Sequence, residues 1–411
     1  MKLNIFSSPY VIGLTLLLIA NVCFYDLETI KIYQIMTIMG VLIIFGRSMI
    51  DKSFYQNIKH RCVKYLIVLY LLYTIYGLYF LRTGDYNDDM LIFTCVQNIA
   101  IYFCLISFFN HDNWIDYLII PFILSATFII LYIFSVEKNI LLSAQLDERI
   151  GGELSGNVNT VGYSMGTLSM VLFYFFIKKK NYFVLLVLIV DWLIMLLTGS
   201  KKTILIILVE LIMAYYYSKN KRKAILWVII LGVGFYYVLF NIPVFYELIG
   251  QRVEDMFGTM FGLPNANYSH STDDREGMIN EGFKLWLQVP LFGGGMNYFS
   301  YATKIYSNYG YSHCNVTEVL CNFGIMGFLM YYVPYIKNLF TCIKNYKLDR
   351  DRYVFGGAWL ICSMVLSWCM VQFSDICIAY IPIITSFALL DNKIITNNYI
   401  KKKNVKVAAS N

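Results

Sequence analysis

The sequence predicts an all-α polytopic membrane protein. About twelve transmembrane helices (eleven or twelve), two cytoplasmic termini and one large extracytoplasmic loop with amphipathic helices describe it best. Three observations carry this prediction. First, the 411 residues are 58% hydrophobic and only 14% charged, with a mean hydropathy of +0.59. A soluble domain is about 45–50% apolar and about 25% charged. Second, the apolar residues come in continuous runs near the length that crosses roughly 30 Å of hydrocarbon. They lack the ~10-residue alternation of an outer-membrane barrel. Third, the basic residues crowd into every second connection between those runs. A soluble enzyme, a disordered chain and a disulfide scaffold are thereby excluded.

Taken in order, the candidate spans are 9–25, 30–46, 64–81, 90–109, 118–136, 158–177, 182–198, 203–218, 224–241, 315–335, 353–371 and 373–390. The last two are so close that a count of eleven also fits. Lys2 precedes the first run and no small-x-small cleavage site follows, so that run reads as a retained span. With the N-terminus inside, the clusters Arg47 to Lys64, Lys178 to Lys180, Lys219 to Lys223, Lys337 to Arg352 and Lys393 to Lys406 all face the cytoplasm. The net charge of +7 therefore reports topology and gives no sign of a nucleic-acid partner. The ten Cys are scattered without a CxxC and read as packing residues.

This order divides the chain into an N-terminal bundle of about nine spans (1–241), a large external loop (242–312), C-terminal transmembrane helices (313–390) and a basic tail (391–411). No internal repeat is visible. A transporter built from two six-span halves would carry its long loop centrally and inside. Here the long loop is late and external, which favours chemistry at the outer membrane face.

Within the loop, Ser271 to Pro290 reads as an amphipathic helix. Met278, Ile279, Gly282, Phe283, Trp286 and Leu287 share one face. Ser271 or Thr272 is the expected N-cap, and Pro290 with Gly293 to Gly295 ends the helix. Arg275 then falls in the first turn, where the macrodipole disfavours a cation. Two readings are open for it: a local partner of Asp273, Asp274 or Glu276, or a phosphate ligand beside unpaired backbone N–H groups.

Three further clusters stand out. His313, at the junction of loop and span in Tyr311-Ser-His-Cys-Asn-Val-Thr-Glu318, is either structural or a proton-exchanging group. Glu318 would orient it or bind sugar hydroxyls. Thr198-Gly-Ser-Lys-Lys-Thr203 places Lys201 and Lys202 on the outer side, against the charge bias. They either snorkel to lipid headgroups or hold an anionic substrate. Asn157 and Asn159, before the sixth span, either cap a helix or bond sugars. Asp191 and Glu210 are intramembrane acids without an assigned role, and Asp375 is another acid near the end. No metal or nucleotide motif is visible. A membrane-resident activated donor is the natural substrate for an enzyme facing outward.

These clusters, in this order, resemble the O-antigen ligase / Wzy-type polysaccharide polymerase superfamily of bacterial membrane glycosyltransferases. The resemblance covers most of the chain from about residue 150. It rests on the Asn-x-Asn patch, the TGS-plus-basic turn, the helix from Arg275 into Pro290-Leu-Phe-Gly-Gly-Gly295, and Ser312-His-Cys-Asn315 followed by Asn322-Phe-Gly-Ile-Met-Gly-Phe328. It implies a GT-C-like fold in the bacterial cytoplasmic membrane. The implied donor is an undecaprenyl-pyrophosphate-linked oligosaccharide, taken without metal or cofactor. Membrane lipids, a flippase and a chain-length regulator are the implied partners. Carried onto this sequence, Arg275 and His313 are the catalytic pair. Lys201, with Lys202 and Arg252, holds pyrophosphate, and Asn157, Asn159, Asn315 and Glu318 place sugars. The chain departs from the family at Lys201, where Arg is common and a two-pronged fork is lost. It departs again at Cys314, where Asn commonly follows the histidine.

Overall fold

A computed structural model of the protein describes residues 8–24, 29–79, 88–138, 150–151, 158–218, 220–251, 254, 270–304, 309–372 and 381–391. Among these, every regular element is helical: α1 (Pro9–Cys23), α2 (Ile30–Ile50), α3 (Arg61–Tyr79), α4 (Asp88–Phe109), α5 (Trp114–Val136), α6 (Val158–Lys179), α7 (Tyr182–Leu197), α8 (Lys201–Tyr217), α9 (Lys221–Asn241), α10 (His270–Gln288), α11 (Tyr298–Thr303), α12 (Asn315–Asn345), α13 (Arg350–Leu366) and α14 (Ile381–Leu390). A short π-helical turn, Tyr246–Gly250, follows α9. Six helices, α2 to α6 and α12, are long and apolar enough to cross a membrane. The helices α1, α7 and α14 are apolar but shorter. Long helices are the form such runs must take, because a bilayer offers no partner for an open backbone group.

Exposed apolar stripes run along these helices. On α2 they include Ile35, Leu42, Met49 and Ile50, and on α9 Ile229, Val233, Tyr236 and Tyr237. Such stripes in water would drive association; against lipid they cost nothing. The helices bury polar side chains such as Asn98, Gln97 and Asp191 together with a larger apolar set, and still present aliphatic ones.

The chain forms two compact units. The first comprises residues 1–40 and 116–273. At its centre α6 packs on α7 and α8, and α8 on α9. Gly162 of α6 lies against Thr198, Ser200 and Thr203, so the turn between α7 and α8 seats directly on α6.

The second unit comprises residues 41–115 and 274–411. Here α3, α4, α12, α13 and α14 pack together. Arg352 is buried and donates to the Phe109 carbonyl at 2.7 Å, capping the end of α4 from α13. Tyr102 and Arg61 both donate to the Asp391 carboxylate after α14, at 3.1 and 3.4 Å. The apolar core includes Phe323 of α12, stacked on Tyr73 of α3 with ring centroids 4.7 Å apart.

Candidate functional site

The second unit brings the Arg275 helix and the His313 turn together. Helix α10 begins at His270, before the expected cap residues, so Ser271 and Thr272 lie inside its first turn. Arg275 consequently stands in the second turn and not the first. In any α-helix the side chain leans toward the N-terminus, so an Arg at this position points back toward the first turn, where its guanidinium and the free N–H groups could donate to one anion. Arg275 is exposed and makes no ion pair among the described residues.

The buried face of α10 is also rotated from the expected one. Leu285 is 5% exposed and Leu287 67% exposed. Leu285 packs with Phe299 and Cys321, flanked by Met278, Trp286 and Tyr309. Gly282 gives the closest approach: a methyl group there would stand 3.0 Å from the Thr317 Cβ. The Cys321 thiol donates to the Gly282 carbonyl at 2.9 Å. Toward the start of α10, a methyl at Gly277 would be 3.7 Å from the Tyr309 hydroxyl. Helix α10 thus runs alongside residues 309–321, with Gly277, two residues after Arg275, at the Tyr309 end.

Past α10 the chain closes on α12 through a set of backbone hydrogen bonds. Helix α12 is interrupted at Gly324, whose φ of 64° and ψ of −167° are available only to glycine. The interruption frees backbone groups on both sides, and residues 290–295 satisfy them. Gly294 and Gly295 N–H groups donate to the Cys321 and Asn322 carbonyls at 2.8 and 3.0 Å. Ile325 and Met326 N–H groups donate to the Pro290 and Leu291 carbonyls at 2.9 and 3.2 Å. Gly293 and Gly324 face the partner backbone so closely that a methyl on either would lie 2.5 or 2.4 Å from it.

The His313 turn is held from below. His313 adopts φ 56°, a left-handed backbone conformation that few residues other than glycine occupy. Its ring meets Tyr311, with centroids 4.1 Å apart, and it is half-buried. The Ser312 N–H donates to Glu318 Oε2 at 2.7 Å, and Asn322 Nδ2 donates to Glu318 Oε1 at 3.4 Å. One carboxylate therefore ties the histidine turn to the residue beside the helix break. Asn315 is fully buried. Its Nδ2 donates to the Tyr332 hydroxyl at 2.8 Å, and its Oδ1 accepts from the Gln372 N–H at 2.7 Å. The side chains of Asn315 and Glu318 are thus engaged in holding the turn.

In the first unit, the TGS turn is equally well defined. Gly199 takes φ 60°. Thr198 Oγ1 donates to the Met195 carbonyl and Thr203 Oγ1 to the Ser200 carbonyl, each at 2.7 Å. Lys201 is the first residue of α8, and Lys202 follows, half-exposed. Asn159 is the second residue of α6 and half-exposed. Asn157, Arg252 and Asp375 lie outside the described residues.

Several members were not found from the sequence. Glu137 accepts from the Gly151 N–H at 2.9 and 2.7 Å, and the Ile150 N–H donates to the Leu197 carbonyl, so residues 150–151 brace the TGS turn. Tyr309 carries no signal of its own in a chain of 35 Tyr. The Gly324–Gly327 pair was the available signal for the interruption. No group of three or more metal-binding side chains occurs among the described residues.

The comparison with known families agrees with the motifs. Residues 182–332 match the family described as O-antigen ligase. The matched segment holds the TGS turn, α10, the glycine run and the His313 turn, and it begins after Asn159. No curated protein matches the chain.

Proposed function

We propose that this protein is a membrane glycosyltransferase that polymerises undecaprenyl-pyrophosphate-linked repeat units into a surface polysaccharide, at the outer face of the bacterial cytoplasmic membrane. A sugar hydroxyl of the acceptor attacks the anomeric carbon of the donor. The bond from that carbon to the pyrophosphate oxygen breaks, and the electron pair leaves with the lipid pyrophosphate. His313 takes or orients the hydroxyl proton. Arg275 offsets the charge growing on the leaving group. Glu318 and Asn315 act as positioning residues for the His313 turn. Pyrophosphate binding by Lys201, Lys202 and Arg252, and sugar contacts by Asn157 and Asn159, are separate proposals, each open to single replacement.

One observation carries this reading: α10 lies along residues 309–321, with Gly277, two residues after Arg275, facing Tyr309, four residues before His313. The family match over the same residues supports it. The description of that family favours a second reading, transfer of the glycan to a different acceptor.

The test is purified protein with a lipid-pyrophosphate oligosaccharide in the presence of EDTA. A polymerase makes a ladder of products. A ligase makes product only when a core acceptor is added. The reading fails if the protein gives no glycosyl transfer to any acceptor.

A further inference from the structure

The first unit contains two acids that the proposed reaction does not use. Asp191 and Glu210 lie near the middle of α7 and α8, and both are fully buried. Glu210 is well served. Ser169 Oγ of α6 donates to one of its oxygens, and Trp192 Nε1 donates to the other at 2.9 Å. Asp191 interacts with Glu210 electrostatically, yet both of its oxygens are buried without a hydrogen-bond partner. Elsewhere in the described residues a buried carboxylate finds donors, as Glu318 does from Ser312 and Asn322.

The charge count makes the arrangement incomplete. Two carboxylates lie buried where α7 and α8 pack on α6, close enough to interact, and Trp192, next to Asp191, donates to Glu210. Two donors offset the charge of Glu210, and none among the described residues offsets that of Asp191. The basic residues of these helices stand at their ends: Lys178 and Lys179 close α6, while Lys201 and Lys202 open α8. From Lys202 to Glu210 the rise along α8 is roughly 12 Å. The π-helical turn packed on α7 carries Glu247, which is exposed. An ionisable pair held at this depth marks an ion or proton site in many membrane proteins.

We propose that Asp191 and Glu210, with Ser169, form an intramembrane site for one monovalent cation, a proton or a sodium ion shared between the two carboxylates. The bare oxygens of Asp191 supply the open ligands, and Ser169 and Trp192 fix the orientation of Glu210. The site is independent of the glycosyl-transfer reading, because none of its residues belongs to that machinery.

The test uses full-length protein in lipid nanodiscs. Its Tm is measured in sodium against choline chloride at equal ionic strength, and across a pH series without sodium. A ligand that binds only the folded state raises Tm with its concentration. The expected result is a rise with sodium or on acidification that Asp191→Asn loses. Infrared difference spectra of wild type minus Asp191→Asn distinguish the sources. A deuterium-sensitive carboxylic-acid band assigns the proton, and its absence together with a sodium-dependent Tm assigns sodium. If Asp191→Asn does not assemble, Glu210→Gln is measured in the same way. The proposal is overturned if the wild-type Tm ignores sodium and pH and no such band appears, or if the variants respond as the wild type does.

Discussion

At the residue scale, a guanidinium and an imidazole divide the work of the proposed reaction. Arg275 offers a fixed positive charge with a planar fork, and Arg275→Lys keeps only the point charge. Loss of one such electrostatic partner of a transition state costs about 10²–10³ in rate. Arg275→Ala is therefore expected to lower kcat by at least about 100-fold, and Arg275→Lys to lose less, as measured by initial rates of chain elongation. Glu318 acts through another residue, and its signature differs. Glu318→Ala leaves the Ser312 N–H without an acceptor, at a cost of about 1–3 kcal/mol. Both Tm and kcat should then fall, while Glu318→Gln, which still presents one carbonyl oxygen, restores most of each. Unchanged kcat in Glu318→Ala would remove it from the positioning role. These two residues also mark how far sequence alone reaches. Arg275 and His313 stood out because charge and histidine are rare in this chain. For Glu318 the sequence left two roles open, orienting His313 or binding sugar, and for Asn315 the resemblance implied sugar binding, because polarity is visible in a sequence and burial is not.

At the scale of elements, the pattern of apolar runs places every long helix, and it misplaces several ends. Helix α12 continues to Asn345, ten residues past its apolar run, and the extension carries Lys337 and Lys344. Helix α13 stops at Leu366, and the chain then turns so that Gln372 reaches Asn315. The turn was merged into a span because its residues are apolar. For the interruption at Gly324 the only signal was the Gly324–Gly327 pair, and a glycine in an apolar run looks like a packing residue. What distinguishes it is a contact with residues 290–295 about thirty positions away. Four backbone hydrogen bonds replace those that the interrupted helix gives up, and in hydrocarbon each unmet group would cost several kcal/mol. Gly324→Ala forces an unfavourable backbone region, worth about 1–3 kcal/mol, and drives a methyl into Leu291 as well. It should lower Tm and folded yield more than Gly234→Ala, where nothing lies within 4 Å. Equal effects at the two glycines would contradict the account of the splice.

At the scale of the whole molecule, the charge asymmetry makes a directional claim. Alkaline phosphatase fused after residue 304 should be active, and the same reporter fused after residue 348 should be inactive. The reverse result would turn the proposed site toward the cytoplasm and away from any lipid-linked donor at the outer face. Composition alone announced a helical membrane protein, because there is too little charge to cover a soluble surface and too much aliphatic surface remains exposed on α2 and α9. The motifs announced the family that residues 182–332 match. The central claim is that Arg275 and His313 serve one reaction centre. A double-mutant cycle on chain elongation tests it most directly, with Arg275→Ala, His313→Ala and the pair compared under single-turnover conditions. Residues acting as a unit are strongly non-additive, so the double variant should be no slower than the slower single variant. Losses that multiply, or singles that elongate at the wild-type rate, would contradict it.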